Sequence, residues 1–433
     1  MKVEKAEKST ADFPSWMPLD NAAKIYPAAK SNRTPSMFRL SMELTEDIDR
    51  DVLASALKSA LKRMPSFSQH LKRGLFWYYL EHHNDSPPIW HDISNPCVYL
   101  DVVANKGFQF RVCCYQKRIA VDFFHVLTDG TGGMSFLKTL VAEYISLKYS
   151  VEIPRGKGIL DCKGSPQREE FEDSFLKYAK PIKVSRKEAP AYHIQGTLEP
   201  VGVIHITTGI MPLDVIHAKA VEAGATINEY LVAVLILAIY NIQQAETNDS
   251  RKKLAVKVSI PINLRKRFSS STLRNFTTYA NLGIVPILGS YTLEEVIAIL
   301  KHGMALEANE KMLTAKFSSN VAAEKNTAMK ITPLFLKNPI MHLYYKMYGG
   351  RYNSTALSNL GLISLPEEMA KYVDRISFLI GAGDNPVACS CVSFGNKLCF
   401  NITRTIAEPL LEHQFFTMMV NLGIPVSLES NIV

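Results

Sequence analysis

Two hydrophobic periods alternate along the chain. Phe38, Leu40, Met42 and Leu44 alternate with Arg39, Ser41 and Glu43, the two-residue repeat of a half-buried strand. Thr45 then stands as the N-cap of a predicted helix whose Ile48, Val52, Leu53, Leu57 and Leu61 share one face until Pro65 stops it. Strand alternation returns at 108–114 and 118–124, predicted to pair antiparallel across a turn near Gln116 and Lys117. Apolar residues from 134 to 149 recur at helical spacing. Residues 150–195 change texture, with Pro154-Arg155-Gly156-Lys157-Gly158, a charged run at 167–173 and a Pro-bounded stretch at 181–190. They read as a crossover carrying a short helix at 169–179.

Beyond the crossover, a strand is predicted around 203–208. Thr226-Ile227-Asn228-Glu229 is a capping-box pattern, and it opens a helix apolar on nearly every side through Leu231, Val232, Val234, Leu235, Leu237 and Ile239. Such a helix belongs at the centre of a core. Stretches 387–394 and 397–402 flank Gly395-Asn396 as a hairpin, and a last helix runs from Pro409 to Gly423. Helix and strand signals are interleaved without a repeat of about 20 to 50 residues, which predicts a mixed α/β (α+β) architecture. A chain of 433 residues exceeds what one core organises. The expected division is an N-terminal lobe at 1–180, a linker at 181–195 and a C-terminal lobe at 196–433.

Composition narrows the function classes. At 47% hydrophobic and 21% charged residues the chain can fill substantial cores. Residues 1–8 are charged and lead into no apolar run, and the most apolar stretch, 230–240, is about half of the roughly 20 residues that span a bilayer. Neither a signal peptide nor a membrane span is expected. Seven cysteines without C-x-x-C spacing suggest no zinc site and no disulfide framework, and Cys389 and Cys391 read as core packing on one strand face. A reducing cytoplasm fits. The net charge of +8 comes from dispersed Lys and Arg in no nucleic-acid-binding pattern, and it suits a substrate that carries phosphates. His82-His83 beside Glu81 has no further ligand spacing and reads as a solvated loop rather than a metal site.

The chemistry concentrates in Phe123-Phe124-His125-Val126-Leu127-Thr128-Asp129-Gly130-Thr131-Gly132-Gly133. This is an H-x-x-x-D-G motif, expected about 0.03 times by chance in a chain of this composition. Histidine can take and return a proton near neutral pH, and a carboxylate four residues on can stabilise the loop that presents it. His125 falls where a strand ends and a loop begins, a usual place for catalytic groups on a rigid scaffold.

With that motif the chain resembles the chloramphenicol acetyltransferase-like superfamily. The superfamily includes alcohol acetyltransferases, plant BAHD acyltransferases, polyketide-associated acyltransferases and the condensation domains of nonribosomal peptide synthetases. Ser259-Ile260-Pro261-Ile262-Asn263-Leu264-Arg265 looks like the strand-and-arginine segment of the second lobe, with Asn275-Phe276 following it, and Ser358-Asn359-Leu360-Gly361 resembles a later strand. Condensation domains usually carry two adjacent histidines, whereas Phe124 stands in the first position here. The BAHD D-F-G-W-G element is replaced by Ser393-Phe394-Gly395-Asn396-Lys397. The pattern is therefore most similar to the alcohol acetyltransferase group.

The resemblance implies two lobes forming a V around an interlobe tunnel, and direct acyl transfer from a thioester to an alcohol or amine with His125 as general base. It makes Arg265 the buried partner of Asp129 and turns that carboxylate away from the imidazole. Asp129, Gly130 and Arg265 are then structural members of the loop. Oxyanion donors and tunnel-lining groups are sought at the Gly130 amide, Asn275, Thr277, Ser358 and Asn359. No resident cofactor or metal is implied. The expected donor is acyl-CoA; the alternatives are a condensing enzyme of secondary metabolism that takes its donor from an acyl carrier protein, and a non-catalytic binding relative.

Overall fold

The computed structural model describes residues 13–431 apart from 93–94, 183, 185–187, 247–252 and 384. The charged stretch at 1–8, and positions 183 and 185–187 of the expected linker, lie outside the described residues.

The alternating run forms the strand Met37–Leu44, which pairs with Arg118–Phe124 on one side. Phe110–Tyr115 and Ile89–His91 continue the sheet, and Gln116 takes a left-handed φ of 47° to close the hairpin. The polar side of Met37–Leu44 is not solvated as alternation suggests. Arg39 is buried and meets Asp122 at 2.6 Å and Asp92 at 2.5 Å, and Arg111 shares Asp122. A buried ionic cluster therefore backs the strand that leads to His125, while Phe38, Leu40 and Phe123 face the first hydrophobic core.

The helix after this strand starts later than its pattern predicts. Asp49, not Thr45, is the N-cap of Arg50–Arg63, accepting from the Asp51 and Val52 amides. Thr45 instead donates its amide to the Tyr372 carbonyl just past the strand end. The short helix predicted at 169–179 divides into a 3-10 turn, Arg168–Glu170, and the helix Ser174–Tyr178, because Asp173 caps the second piece. The helix expected from 134 begins four residues earlier, as Gly130–Tyr149, since Asp129 caps it ahead of the three glycines that hide its pattern.

Seven strands form the largest sheet, ordered Thr277–Ile284, Val256–Asn263, Thr355–Leu362, Val387–Phe394, Lys397–Arg404, His205–Pro212, Ser427–Ser430. Thr355–Leu362 runs parallel to both neighbours, and the other pairings are antiparallel. The helix Ile227–Glu246 lies in its core, with Tyr230 to Tyr240 all buried, and Thr226 and Glu229 bond each other reciprocally at its start. Among the described residues no single helix is long and apolar enough to cross a membrane. Cys389 and Cys391 pack in this second core, where burial pushes both thiols up. Trp16–Pro18, Tyr78–His82 and Gln69–Arg73 make a third, three-stranded sheet.

One strand departs from a linear division of the chain. Val373–Ile380 follows a strand of the seven-stranded sheet yet pairs antiparallel with Met37–Leu44 over the register Ile376–Met42 to Ile380–Phe38. The first sheet thus takes a strand from beyond residue 196. Its Phe378 carbonyl accepts from Ser390 Oγ at 2.6 Å and Asn401 Nδ2 at 2.9 Å, which ties the two sheets together.

Candidate active site

His125 is the first residue after Arg118–Phe124, and its amide donates to the Ser36 carbonyl, so backbone pairing fixes where the side chain leaves the sheet. Its ring is half-buried. Tyr26 stacks on one face at a centroid distance of 4.6 Å, and Phe38 meets it edge-on at 5.2 Å. His125 lines a cavity of about 700 Å³ whose walls come from both halves of the chain, among them Thr131, Asn263, Thr277, Ser358 and Phe378.

The ring is held by Asn275. Its Nδ2 donates to the His125 carbonyl at 3.1 Å, which can only accept, and to Asp20 Oδ2 at 3.0 Å. Its Oδ1 must therefore be the atom 2.9 Å from His125 Nδ1. The His125 carbonyl thus settles the amide orientation, and the imidazole carries its proton on Nδ1 with the Nε2 lone pair free. Burial pulls the His125 pKa below the ordinary 6.5, against the opposing influence of the Asp129 charge and the Asn275 bond. The neutral, proton-accepting form is the one favoured in this cavity.

Asp129 does not touch the ring. One oxygen caps the helix Gly130–Tyr149 by accepting from the Thr131 and Gly132 amides, each at 3.1 Å. The other accepts from Arg265 at 2.9 Å and from the Phe276 amide at 2.9 Å. Burial alone would raise its pKa, but the Arg265 guanidinium and these amides hold it below 3.8. Arg265 is fixed in turn by the Thr272 and Arg274 carbonyls. Behind the pair, Phe175, Phe268, Phe276 and Phe317 form a small aromatic core. The segment around Leu273 lies so close to the helix that a Cβ at Gly132 would sit 2.1 Å from the Leu273 oxygen, so only glycine fits.

Thr277, Ser358 and Asn359 line the cavity, as does Gly130 at the first position of the helix. Asn359 is already committed, to Asn228 at 3.0 Å and to the Gly361 amide at 2.7 Å. Asn275, sought as a tunnel or oxyanion group, is instead buried behind His125 and orients it, because all its polar atoms are spent on His125 and Asp20. Sequence reasoning missed Asp20, Tyr26 and Phe38 as the ring's surroundings. It also missed Asn263, whose Nδ2 donates to Thr131 Oγ1 at 3.0 Å and leaves the Thr131 hydroxyl proton for the cavity. The alternation around Phe38 was visible; the contact with His125 needs the sheet. Among the described residues no group of three or more His, Cys, Asp or Glu is arranged to hold a metal.

No family model matches the chain. Two curated relatives, the uncharacterized proteins Rv2305 and MT2362 of two Mycobacterium tuberculosis strains, are 25% identical over 256 residues, 58% of this chain and 57% of theirs. The match spans little more than half the length of those relatives. Solved structures align over nearly the whole chain. Polyketide synthase associated protein 5 of Mycobacterium tuberculosis has a TM-score of 0.56 at 13% identity, covering 93% of this chain and 96% of that one. The trichothecene 15-O-acetyltransferase TRI3 of Fusarium sporotrichioides has 0.59 at 14%, covering 93% of each. The condensation domain of the Monacolin K polyketide synthase MokA has 0.59 at 12%, covering 94% of this chain and 96% of that one. The chain shares the mixed α+β fold of these structures. The likeness singles out no branch, so the alcohol acetyltransferase assignment is narrower than it supports.

Breaking the buried pair strands a charge, so Asp129→Ala and Arg265→Ala should each destabilise the fold by about 3–5 kcal/mol. The double variant should cost much less than the sum, as read from urea unfolding. The Asp129 carboxylate has a folded-state pKa depressed below its unfolded value, so its contribution is full above the unfolded value. It is lost as pH falls through the folded one. The stability gap between wild type and Asp129→Asn should accordingly narrow below pH 3.8.

A second outcome concerns Asn275→Ala. Without the amide oxygen, ¹⁵N spectra of the His125 ring should lose the pure Nδ1–H pattern, and the ring's pKa should fall further because a bond that raised it is gone. An unchanged tautomer would show that Asn275 does not set it.

Proposed function

We propose that this protein transfers an acyl group from a phosphopantetheine thioester to an alcohol or amine, with His125 as general base and no acyl-enzyme. The observation that carries the reading is an imidazole lining a cavity with its Nδ1 2.9 Å from Asn275 Oδ1, a contact that leaves Nε2 to accept. In the forward step Nε2 takes the proton of the acceptor O–H or N–H as its oxygen or nitrogen bonds to the thioester carbon. The carbonyl electrons move to oxygen. The collapse of this tetrahedral oxyanion breaks the C–S bond, and the imidazolium returns its proton to the departing thiolate. Cys389 and Cys391, buried in the second core with their thiols pushed up, are no rivals as nucleophiles.

The oxyanion calls for donors placed beforehand, each commonly worth about 2.7–4 kcal/mol. The Gly130 amide suits this role, since Asp129 takes the amides of Thr131 and Gly132 but not its own, and it opens a helix N-terminus toward the cavity. The Thr131 hydroxyl, with Thr277 and Ser358, adds to the polar lining.

A second reading concerns what bears the thioester. Soluble acyl-CoA is the donor the sequence favours, but Lys24 is the basic side chain among the described lining residues, and it is paired with Glu324 at 2.5 Å. The resembled structures include several condensation domains and a polyketide-synthase-associated protein. The sparse basic lining supports a donor delivered on an acyl carrier protein, whereas one of these structures, a starter condensation domain, is in complex with C8-CoA.

His125→Ala should keep the wild-type circular dichroism and melting behaviour while transfer falls by about 10² to 10⁴-fold. In the wild type the acid limb of the rate profile should lie below pH 6.5, since burial lowers the base's pKa. Offering one acyl group on CoA, on N-acetylcysteamine and on a holo carrier protein decides the bearer. A folded His125→Ala with full rate would sink the reading, and preference for acyl-CoA over the carrier would reject the second one.

A further inference from the structure

The helix Leu334–Tyr348 stands beside the cavity with two apolar faces. Met341 and the preceding Met329 line the wall of the His125 cavity. At about 100° per residue, Leu336, Ile340, Leu343 and Met347 fall within about 60° of arc on another side of the helix. That stripe faces outward. Leu336, Ile340 and Leu343 are 51% to 63% exposed, and their neighbours Ile331 and Phe335 are 66% and 62% exposed. A contiguous apolar strip of this kind is unusual on a protein that meets only water.

The strip continues onto the turn between Gln69–Arg73 and Tyr78–His82. The Leu334 amide donates to the Leu75 carbonyl, which sets Leu75, 65% exposed, beside the first residues of the helix. Lys337 is fully buried, donates to the Phe76 carbonyl at 2.8 Å and lies 3.4 Å above the Trp77 ring. Helix and turn are therefore pinned together as one surface.

The charge carried by this segment of the chain has one sign. From residue 325 to 366 the sequence holds no Asp or Glu, yet it holds Lys325, Lys330, Lys337, Lys346 and Arg351. Lys325, Lys330 and Arg351 are exposed, and so is Arg73 at the start of the turn. The acid just before the segment, Glu324, is paired with Lys24, and the next acids in sequence, Glu310 before it and Glu367 and Glu368 after it, lie outside the helix.

We propose that this face seats on an anionic lipid surface, with the apolar stripe in the acyl region and the lysines at the headgroups. An amphipathic helix with exposed apolar side chains and basic flanks binds membranes in this way, by apolar burial together with attraction to acidic headgroups. Because Met341 and Met329 face the His125 cavity from the same segment, a long-chain acyl donor or acceptor would pass from the lipid into the cavity alongside this helix. That last step rests on the proposed acyl transfer. The docking itself does not, and it is measured without any turnover.

The test is co-sedimentation of the full chain with vesicles of phosphatidylcholine containing phosphatidylglycerol, and with phosphatidylcholine alone. The wild type should bind the anionic vesicles and lose binding at high salt. Lys325→Glu with Lys330→Glu should lower partitioning by about tenfold or more. Leu336→Glu, Ile340→Glu and Leu343→Glu together should abolish it while circular dichroism and transfer to a water-soluble acceptor stay at wild-type levels. Equal binding to neutral vesicles, or none to either, overturns the proposal. So does a dimer in light scattering that the triple variant dissociates, which assigns the strip to a second copy. Capture of an acyl carrier protein through the same residues in a protein that ignores vesicles overturns it as well.

Discussion

Four donors converge on the Asp129 carboxylate, and everything else at the site is placed by where they come from. Two are amides of the helix that Asp129 begins; the others, Arg265 and the Phe276 amide, lie 136 and 147 residues further along. A carboxylate has about four good acceptor positions, so this one is saturated and nothing remains for His125. Removing charges from water is costly, and a buried pair of this kind adds little net stability over an apolar contact. What it fixes is arrangement. Helix start, strand end and the segment at 271–276 satisfy it in one relative placement, with Gly132 allowing the final approach.

This leaves His125 to be oriented by a neutral group. A carboxylate on Nδ1 would stabilise the imidazolium and raise the ring's pKa, whereas the Asn275 amide fixes the same tautomer with a weaker pull. The negative charge is moved one step back, to Asp20, which accepts from Asn275 and lies 3.7 Å from Arg274. Burial pushes Asp20 up, and Arg274 opposes that. The line Arg274, Asp20, Asn275, His125 thus holds the ring firmly while its proton affinity is governed by burial among Tyr26 and Phe38.

The motif around His125 was legible because strand, loop and helix are local and their residue types leave few alternatives. The same holds for the capping box at Thr226 and the hairpin at Gly395-Asn396. Errors fall where two local signals compete or where the partner is distant. Thr45 is as good a cap by type as Asp49, but its amide is held by the Tyr372 carbonyl just past the strand end, and the helix waits for Asp49. Asn275 was recognisable as a residue near the site, but its role depends on Asp20, 255 positions away. Val373–Ile380 reads as a strand, while its place in the first sheet follows from pairing with Met37–Leu44, which no local pattern encodes.

That crossing strand also constrains how the cavity can be entered. Phe378 and Ile380 line the cavity, and the strand that bears them is hydrogen-bonded along its length to the first sheet. Through the Phe378 carbonyl it is tied to Ser390 and Asn401 of the second. Parting the sheets on this side would expose paired backbone and break both side-chain bonds, each loss leaving buried polar groups unmet. Another part of the wall is made differently, from the Lys24–Glu324 ion pair and side chains of the helices at 310–348. Side chains can change rotamer without unpairing a sheet. Access to His125 therefore belongs on the helical wall, and the character of that wall, rather than the H-x-x-x-D-G motif, governs what can reach the ring.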